Sequence, residues 1–260
     1  MAADAAAQAA GCPVSYPAAA GPPPGFPNCR RCPYRTSGPP AICIACALST
    51  VPPLAGERCP ICAQRLVGDV CRNTTCRRPA DQRGFRRVAA VSVLTSPLAE
   101  TLRGYKYGGK RGWRFIFGRL LLGWLDRHPR AASRYDLILP NPSHAGREPY
   151  QHVELMLEVA AAEDVHRRWP IHPAGLVKTR KTPRSAGGGL EAKIEAARLH
   201  AAAVRVAPEL RGHLDGARVL LIDDVFTTGA QFAAVGRRLR RRGGVARVDG
   251  LVIARTPWRT

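Results

Sequence analysis

Lysine is almost missing from this basic chain. Of its 260 residues 40 are Lys or Arg, and only five of these are lysine, at 106, 110, 178, 181 and 193. Acid is scarce as well: 19 Asp and Glu leave a formal charge of +21 and a pI near 10.7. That imbalance invites polyanions such as nucleic acid, nucleotides or phosphorylated metabolites, without choosing among them. Long apolar runs are absent too. The best candidate, 115–125, is interrupted by Arg119 and is too short to span a bilayer, so no membrane span is expected. No Lys or Arg precedes Arg30, so the basic start of a secretory signal is missing and a cytoplasmic location is expected. A collagen-like or fully disordered chain is excluded by 45% hydrophobic residues, which suffice for one α/β domain plus a small module.

Three zones follow along the chain. In 1–28, 19 of 28 residues are Ala, Pro or Gly without periodicity, too little apolar surface to offset the entropy of ordering, and a disordered tail is expected. Residues 29–80 hold eight of the nine cysteines and few large aliphatics. From 81 to 260 apolar strands alternate with amphipathic helices, which predicts an α/β fold with a parallel sheet and crossover helices. Strands are expected over 88–95, 136–140, 175–179, 218–223 and 246–254. Helices are expected over 97–107, 113–127, 150–163, 190–203 and 230–242.

The cysteines fall as Cys29-x2-Cys32, Cys43-x2-Cys46, Cys59-x2-Cys62 and Cys71-x4-Cys76. A Cys-x-x-Cys knuckle points two thiolates at one ion, and two knuckles complete a tetrahedral zinc site. Eight ligands make two sites, or one site plus leftovers. Pairing in order gives Cys29/Cys32/Cys43/Cys46 and Cys59/Cys62/Cys71/Cys76, and cross-bracing is the other arrangement. A disulfide framework and an iron–sulfur cluster are rival readings, the first suited to secreted domains. All-cysteine sites are closed to catalytic water, so a structural role is expected. Cys12, in the tail, is a bystander.

The most informative stretch is Val219-Leu-Leu-Ile-Asp223-Asp224-Val-Phe-Thr227-Thr228-Gly229-Ala230-Gln231. An apolar strand ends in two carboxylates, and a Thr-Thr-Gly turn opens a helix. Ligands of open α/β sheets bind at the carboxyl ends of strands, and a helix N-terminus favours an anion. Gly229 permits close approach of a phosphate, the threonine hydroxyls add hydrogen bonds, and the carboxylates suit the vicinal hydroxyls of a ribose. Together they describe a cradle for ribose 5-phosphate.

This segment resembles the PRPP-binding motif of type I phosphoribosyltransferases. The four cysteine pairs, Arg87-Val-Ala-Ala, Leu102-Arg-Gly-Tyr-Lys106-Tyr-Gly-Gly and Lys178-Thr-Arg-Lys-Thr-Pro-Arg184 extend the likeness to the ComF-like branch, over roughly 29–257. That branch is associated with DNA uptake in competence and is often labelled amidophosphoribosyltransferase-like. The resemblance implies a phosphoribosyltransferase-like sheet preceded by a zinc module. It implies that Asp223 and Asp224 hold the ribose hydroxyls and that Thr227, Thr228, Gly229, Ala230 and Gln231 wrap the 5-phosphate. Leu139-Pro-Asn-Pro-Ser143 would meet the pyrophosphate. The 178–189 segment, with Lys178 and Arg180, would form a hood that neutralises it, and Mg2+ would be held mainly by PRPP oxygens. Three departures stand out: Gln231 where the motif has Thr or Ser, Phe226 where it has an aliphatic residue, and Gly146-Arg-Glu-Pro-Tyr-Gln151 in place of Arg-Gly-Phe-Asn-Gln.

Two functions compete. One is an enzyme in which an acceptor displaces pyrophosphate from C1 of PRPP. The other is a non-catalytic ComF-like module that senses PRPP or a nucleotide while binding single-stranded DNA or a protein of the competence machinery. Glutamine-dependent amidotransfer needs a glutaminase nucleophile such as an N-terminal cysteine, and the first cysteine here is Cys12. Elsewhere bland readings compete with sharp ones. Arg237-Arg-Leu-Arg-Arg-Arg242 is a solvated helix end or a nucleic-acid contact. Lys178, Arg180, Lys181 and Arg184 are loop charges or pyrophosphate ligands. Tyr105, Tyr107 and Trp113 pack in the core or stack on bases. Histidines 144, 152, 166, 172, 200 and 213 lack metal spacing and read as structural or surface residues.

Overall fold

The computed structural model describes residues 51–52, 54–143, 151–183 and 189–257. The expected tail and the knuckles Cys29/Cys32 and Cys43/Cys46 lie outside these residues. A hairpin-like segment and a 3-10 turn at Thr74–Arg77 precede α1 (Ala80–Arg83). Then follow β1 (Val88–Val93), α2 (Ser96–Tyr107), α3 (Trp113–Arg127), α4 (Pro129–Ala132), β2 (Leu137–Pro140) and α5 (His152–Glu163). The chain continues through β3 (Leu176–Lys178), α6 (Leu190–Ala203), β4 (Val204–Val206), a 3-10 turn at Pro208–His213, β5 (Arg218–Phe226), α7 (Ala230–Gly243) and β6 (Arg247–Arg255).

The sheet has four parallel strands in the order β1-β6-β5-β2. Strand β5 is central and apolar on both sides because helices cover both faces. Its alternating side chains feed two cores. Leu220 and Ile222 join the core built by α2, α3 and α5, with Leu98, Trp113, Phe117, Val153 and Met156. Val219 and Leu221 join the core under α6 and α7, with Ala197, Phe232, Val235 and Leu239. Trp113, Ile116, Phe117, Leu121 and Leu125 recur at helical spacing, which buries one stripe of α3.

Two differences from the expected elements bear on the site. The segment expected as a strand over 175–179 does not join the main sheet: β3 pairs antiparallel with β4 in a separate two-stranded ribbon. Strand β5 also runs on to Phe226, so Asp223 and Asp224 lie inside it rather than at its last residue. The pairing of Asp223 with Val252 and of Val225 with Ala254 holds that extension in place. Among the described residues no helix is long and apolar enough to cross a membrane.

The connections locate a crevice. After β5 the chain enters α7, packed on one face; after β2 it reaches α5, packed on the other. Neighbouring parallel strands whose helices leave to opposite faces open a cleft at their carboxyl ends. Asn141 and Asp223 stand there.

Candidate functional site

The pleat sends Asp223 and Asp224 to opposite faces of β5, and each meets a different layer. Asp223 is buried and accepts a hydrogen bond of 2.6 Å from Asn141 Nδ2 through its Oδ2. Asn141 Nδ2 also lies 3.4 Å from Gln231 Oε1, and its Oδ1 is 3.1 Å from His200 Nε2. The first turn of α7 and the last turn of α6 thus converge on Asn141, the residue after β2, which in turn holds the Asp223 carboxylate. Asp224, also buried, ion-pairs with Lys106 of α2, and His152 Nε2 of α5 lies 3.4 Å from the same oxygen. Each aspartate further accepts a backbone N–H at 2.8 Å, Asp223 from Asp224 and Asp224 from Val225. A ligand served by both carboxylates would lie across the sheet's carboxyl edge.

Burial shapes the charges here. It pushes the Asp223 carboxyl up to about 6, against the pull of the Asn141 hydrogen bond and the Lys106 charge. The same burial lowers Lys106, opposed by Asp223. Glu154, in the first turn of α5, is raised by burial to about 7, with Asp223 adding to the rise, and its Oε2 accepts from the Ser143 hydroxyl at 3.3 Å. Lys178 Nζ, at the end of β3, donates to the Ser143 carbonyl at 3.4 Å; burial lowers it and the Glu154 charge opposes this.

The turn after β5 leaves the start of α7 without a side-chain cap. Gly229 adopts φ +86°, a left-handed conformation, and a Cβ there would stand 2.6 Å from the Phe226 ring. No side chain caps Gly229 as the N-cap of α7 and no acid occupies the first turn, although the Thr228 hydroxyl accepts weakly from Ala230 N at 3.4 Å. Thr227 is exposed and Gln231 is half-buried. Phe226 packs with Phe85 and Phe232, at centroid distances of 5.9 and 5.5 Å, and so floors the turn with an aromatic cluster.

The Cys59/Cys62/Cys71/Cys76 pairing has its structural basis beside this turn. All four Sγ atoms lie within 4.8 Å of one another, with Cys59–Cys76 at 3.9 Å and Cys62–Cys71 at 3.7 Å. A tetrahedron of thiolates about 2.3 Å from zinc has edges of about 3.8 Å, so the donor set fits that ion. Ala63 at φ 55° closes the first knuckle. The four-residue spacer of the second pair is taken up by the 3-10 turn, in which Asn73 accepts from Thr75 N at 3.0 Å and Cys76 N donates to the Asn73 carbonyl at 2.9 Å. The crowded thiols share protons unequally: Cys62 is pulled down to about 4 by its hydrogen bond with Cys76, which is itself pushed up. A divalent cation would relieve that repulsion.

Other expected site residues are not drawn in. Arg180 and Lys181 are exposed, and Arg180 makes no ion pair among the described residues. Arg184 and the glycines 187 and 188 of the expected hood, His144, and the 146–150 stretch lie outside the described residues. Tyr105 and Trp113 are core residues, and only Tyr107 is exposed. Conversely, His152 and His200, read as structural or surface histidines, belong to the cluster, as do Asn141, Lys106 and Glu154. Asn141 and Lys106 sat in stretches already named, 139–143 and 102–109, although neither residue was itself expected in the site. For His152, His200 and Glu154 no local signal exists, because their partners lie 11 to 72 residues away in the chain. No protein-family profile matches the chain, and no curated protein sequence matches it.

Proposed function

We propose that this protein binds PRPP or a related ribose phosphate, as a phosphoribosyltransferase-like, ComF-like protein. The observation that carries the reading is the meeting, at the β2/β5 crevice, of two buried aspartates with an uncapped, glycine-hinged helix N-terminus. Thr227 to Gln231 would receive the 5-phosphate on backbone N–H groups, and the aspartates would accept from the ribose hydroxyls. To do so Asp224 exchanges its ion pair with Lys106, freeing that ammonium for the ligand's negative charge. Lys178 stands on the neighbouring ribbon, where it and Arg180 would offset charge on a leaving pyrophosphate. Both carboxylates already have protein partners, which suits a Mg2+ held mainly by ligand oxygens and water. In the enzymatic form an acceptor bonds to C1 as the C1–O bond to pyrophosphate breaks, and the bond electrons leave with pyrophosphate. Positioning and charge stabilisation supply the catalysis, without a protein nucleophile.

The arginines of α7 favour the second reading. Arg237 is lowered by burial and by the neighbouring charges of Arg78 and Arg241, and Arg238 by burial and those of Arg205 and Arg242. Such crowding of like charge is relieved by a polyanion.

One experiment separates the two. Thermal shift and calorimetry with Mg2+ are run with PRPP, ribose 5-phosphate, nucleotides and short single-stranded DNA, on the wild type and on the double variant Asp223→Asn/Asp224→Asn. PRPP is expected to stabilise the wild type and to bind the variant at least about tenfold more weakly, a loss of two charge-assisted hydrogen bonds. Pyrophosphate release with a panel of nucleobases would mark the enzyme. Salt-sensitive DNA binding that survives the double substitution, with no response to PRPP, would favour the binding module instead.

A further inference from the structure

The four-cysteine centre and the turn after β5 are joined by direct bonds, and two residues make the joint. Thr75 lies between Cys71 and Cys76, and its Oγ1 donates to the Thr228 carbonyl at 3.0 Å, across 153 residues of chain. Arg255, the last residue of β6, is buried at 2% exposure. Its Nε donates to the Cys62 carbonyl at 3.0 Å, its Nη2 stands 4.0 Å from Cys62 Sγ, and its Nη1 donates to the Phe226 carbonyl at 3.0 Å. The guanidinium also lies 5.0 Å over the Phe226 ring, and that ring is what a Cβ at Gly229 would strike. Among the described residues no carboxylate ion-pairs with Arg255. Four thiolates on a divalent cation carry a net charge of −2, and Cys62 would present part of it to this cation.

We propose that the Cys59/Cys62/Cys71/Cys76 metal centre holds the phosphate turn in its binding geometry, with Thr75 and Arg255 as the positioning residues. Metal occupancy thereby sets the affinity of the turn for a phosphorylated ligand. The inference rests on the reading of 227–231 as a phosphate site, but the mechanical coupling is a separate claim. Without the metal, the Asn73–Cys76 turn loses its anchors, Thr75 leaves Thr228, and Arg255 loses its counter-charge beneath Phe226. The Thr228 carbonyl then loses its donor, and the Phe226 carbonyl is left with the backbone N–H of Thr256, so the direction of the intervening peptides is less firmly fixed.

Amide hydrogen–deuterium exchange on the full chain reads the coupling without any ligand. Zinc-loaded wild type is compared with chelator-treated protein and with zinc-loaded Thr75→Val, which keeps all four cysteines and the shape of the side chain. The variant is expected to hold the wild-type zinc content and to exchange faster over 226–232, with β2 and α3 unchanged. Its affinity for ribose 5-phosphate and PRPP should fall about three- to tenfold, the effect of one lost hydrogen bond. Chelation should have the larger effect, and if it unfolds the chain, Thr75→Val alone decides. Unchanged exchange over 226–232 in Thr75→Val, with unchanged ligand affinity, overturns the proposal. A wild type that binds neither ligand sinks the phosphate reading, and the exchange result still decides the coupling.

Discussion

Asp223 shows how a single residue is set against the fold that contains it. Its ordinary value of 3.8 rises to about 6 because burial penalises the charge more than Asn141 and Lys106 support it. Below pH 3.8 folded and unfolded chains both hold the proton and the residue is neutral to stability. Between 3.8 and about 6 the unfolded chain releases its proton first, so stability falls as pH rises, and above 6 the full cost remains. That cost is on the order of 3 kcal/mol. Asp223→Asn should therefore raise the melting temperature at pH 7.5 and leave it unchanged near pH 3.5, as measured by thermal denaturation across that range. A variant less stable than wild type at pH 7.5 would contradict the burial argument. Glu154, raised to about 7, adds a cost of the same sign in the wild type. A residue that lowers stability at neutral pH, yet is held in place by a hydrogen bond from Asn141, fits selection for binding rather than for folding. In the sequence Asp223 stood out as a carboxylate after an apolar strand, whereas its protonation balance depends on Asn141 and Lys106, 82 and 117 positions away.

At the scale of the element, β5, the turn and α7 form the unit that sequence revealed best. Four apolar residues, two carboxylates and Thr-Thr-Gly identified strand, turn and helix start, because each depends on local chemistry: pleat alternation, a left-handed glycine, and an unfilled helix N-terminus. The strand's extension to Phe226 was not legible, since it depends on pairing with β6. The reading of the turn as an anion site leads to a substitution with opposite effects on stability and binding. In Thr228→Asp the carboxylate would still accept from Ala230 N and would complement the helix dipole, worth about 0.3–1 kcal/mol. Thermal stability should hold or rise slightly, while calorimetry should show PRPP and ribose 5-phosphate binding at least about tenfold weaker. Retained affinity would place the phosphate elsewhere. The segment at 175–179 is the contrary case at this scale. Its few apolar residues marked a strand, but nothing local could say that its partner would be β4 and its direction antiparallel.

For the whole molecule, the cysteine module and the sheet are parts of one packed body: Cys59, Cys62 and Ala63 share a core with Phe85, Val88 and Phe232. Purified protein should accordingly contain at least one zinc per chain by elemental analysis, and a second where Cys29, Cys32, Cys43 and Cys46 also bind. Cys62→Ser should remove one zinc and lower the melting temperature steeply, since structural zinc contributes on the order of 10 kcal/mol to folding. Wild-type protein free of zinc would end the knuckle reading. The charge belongs to this scale too. It divides into +7 over 1–88 (11 basic minus 4 acidic) and +14 over 89–260 (29 minus 15), so it marks no single nucleic-acid face. By itself the sequence determined the alternation of strands and helices, the cysteine spacing and the acidic, glycine-hinged turn, because these follow from periodicity and from the chemistry of adjacent residues. Only the tertiary structure decided the strand order, the crevice between β2 and β5, the recruitment of Asn141, Lys106, His152 and His200, and the bonds from Thr75 and Arg255 to the turn. Those depend on which helices cover which face and on contacts between distant segments, and no local pattern encodes them.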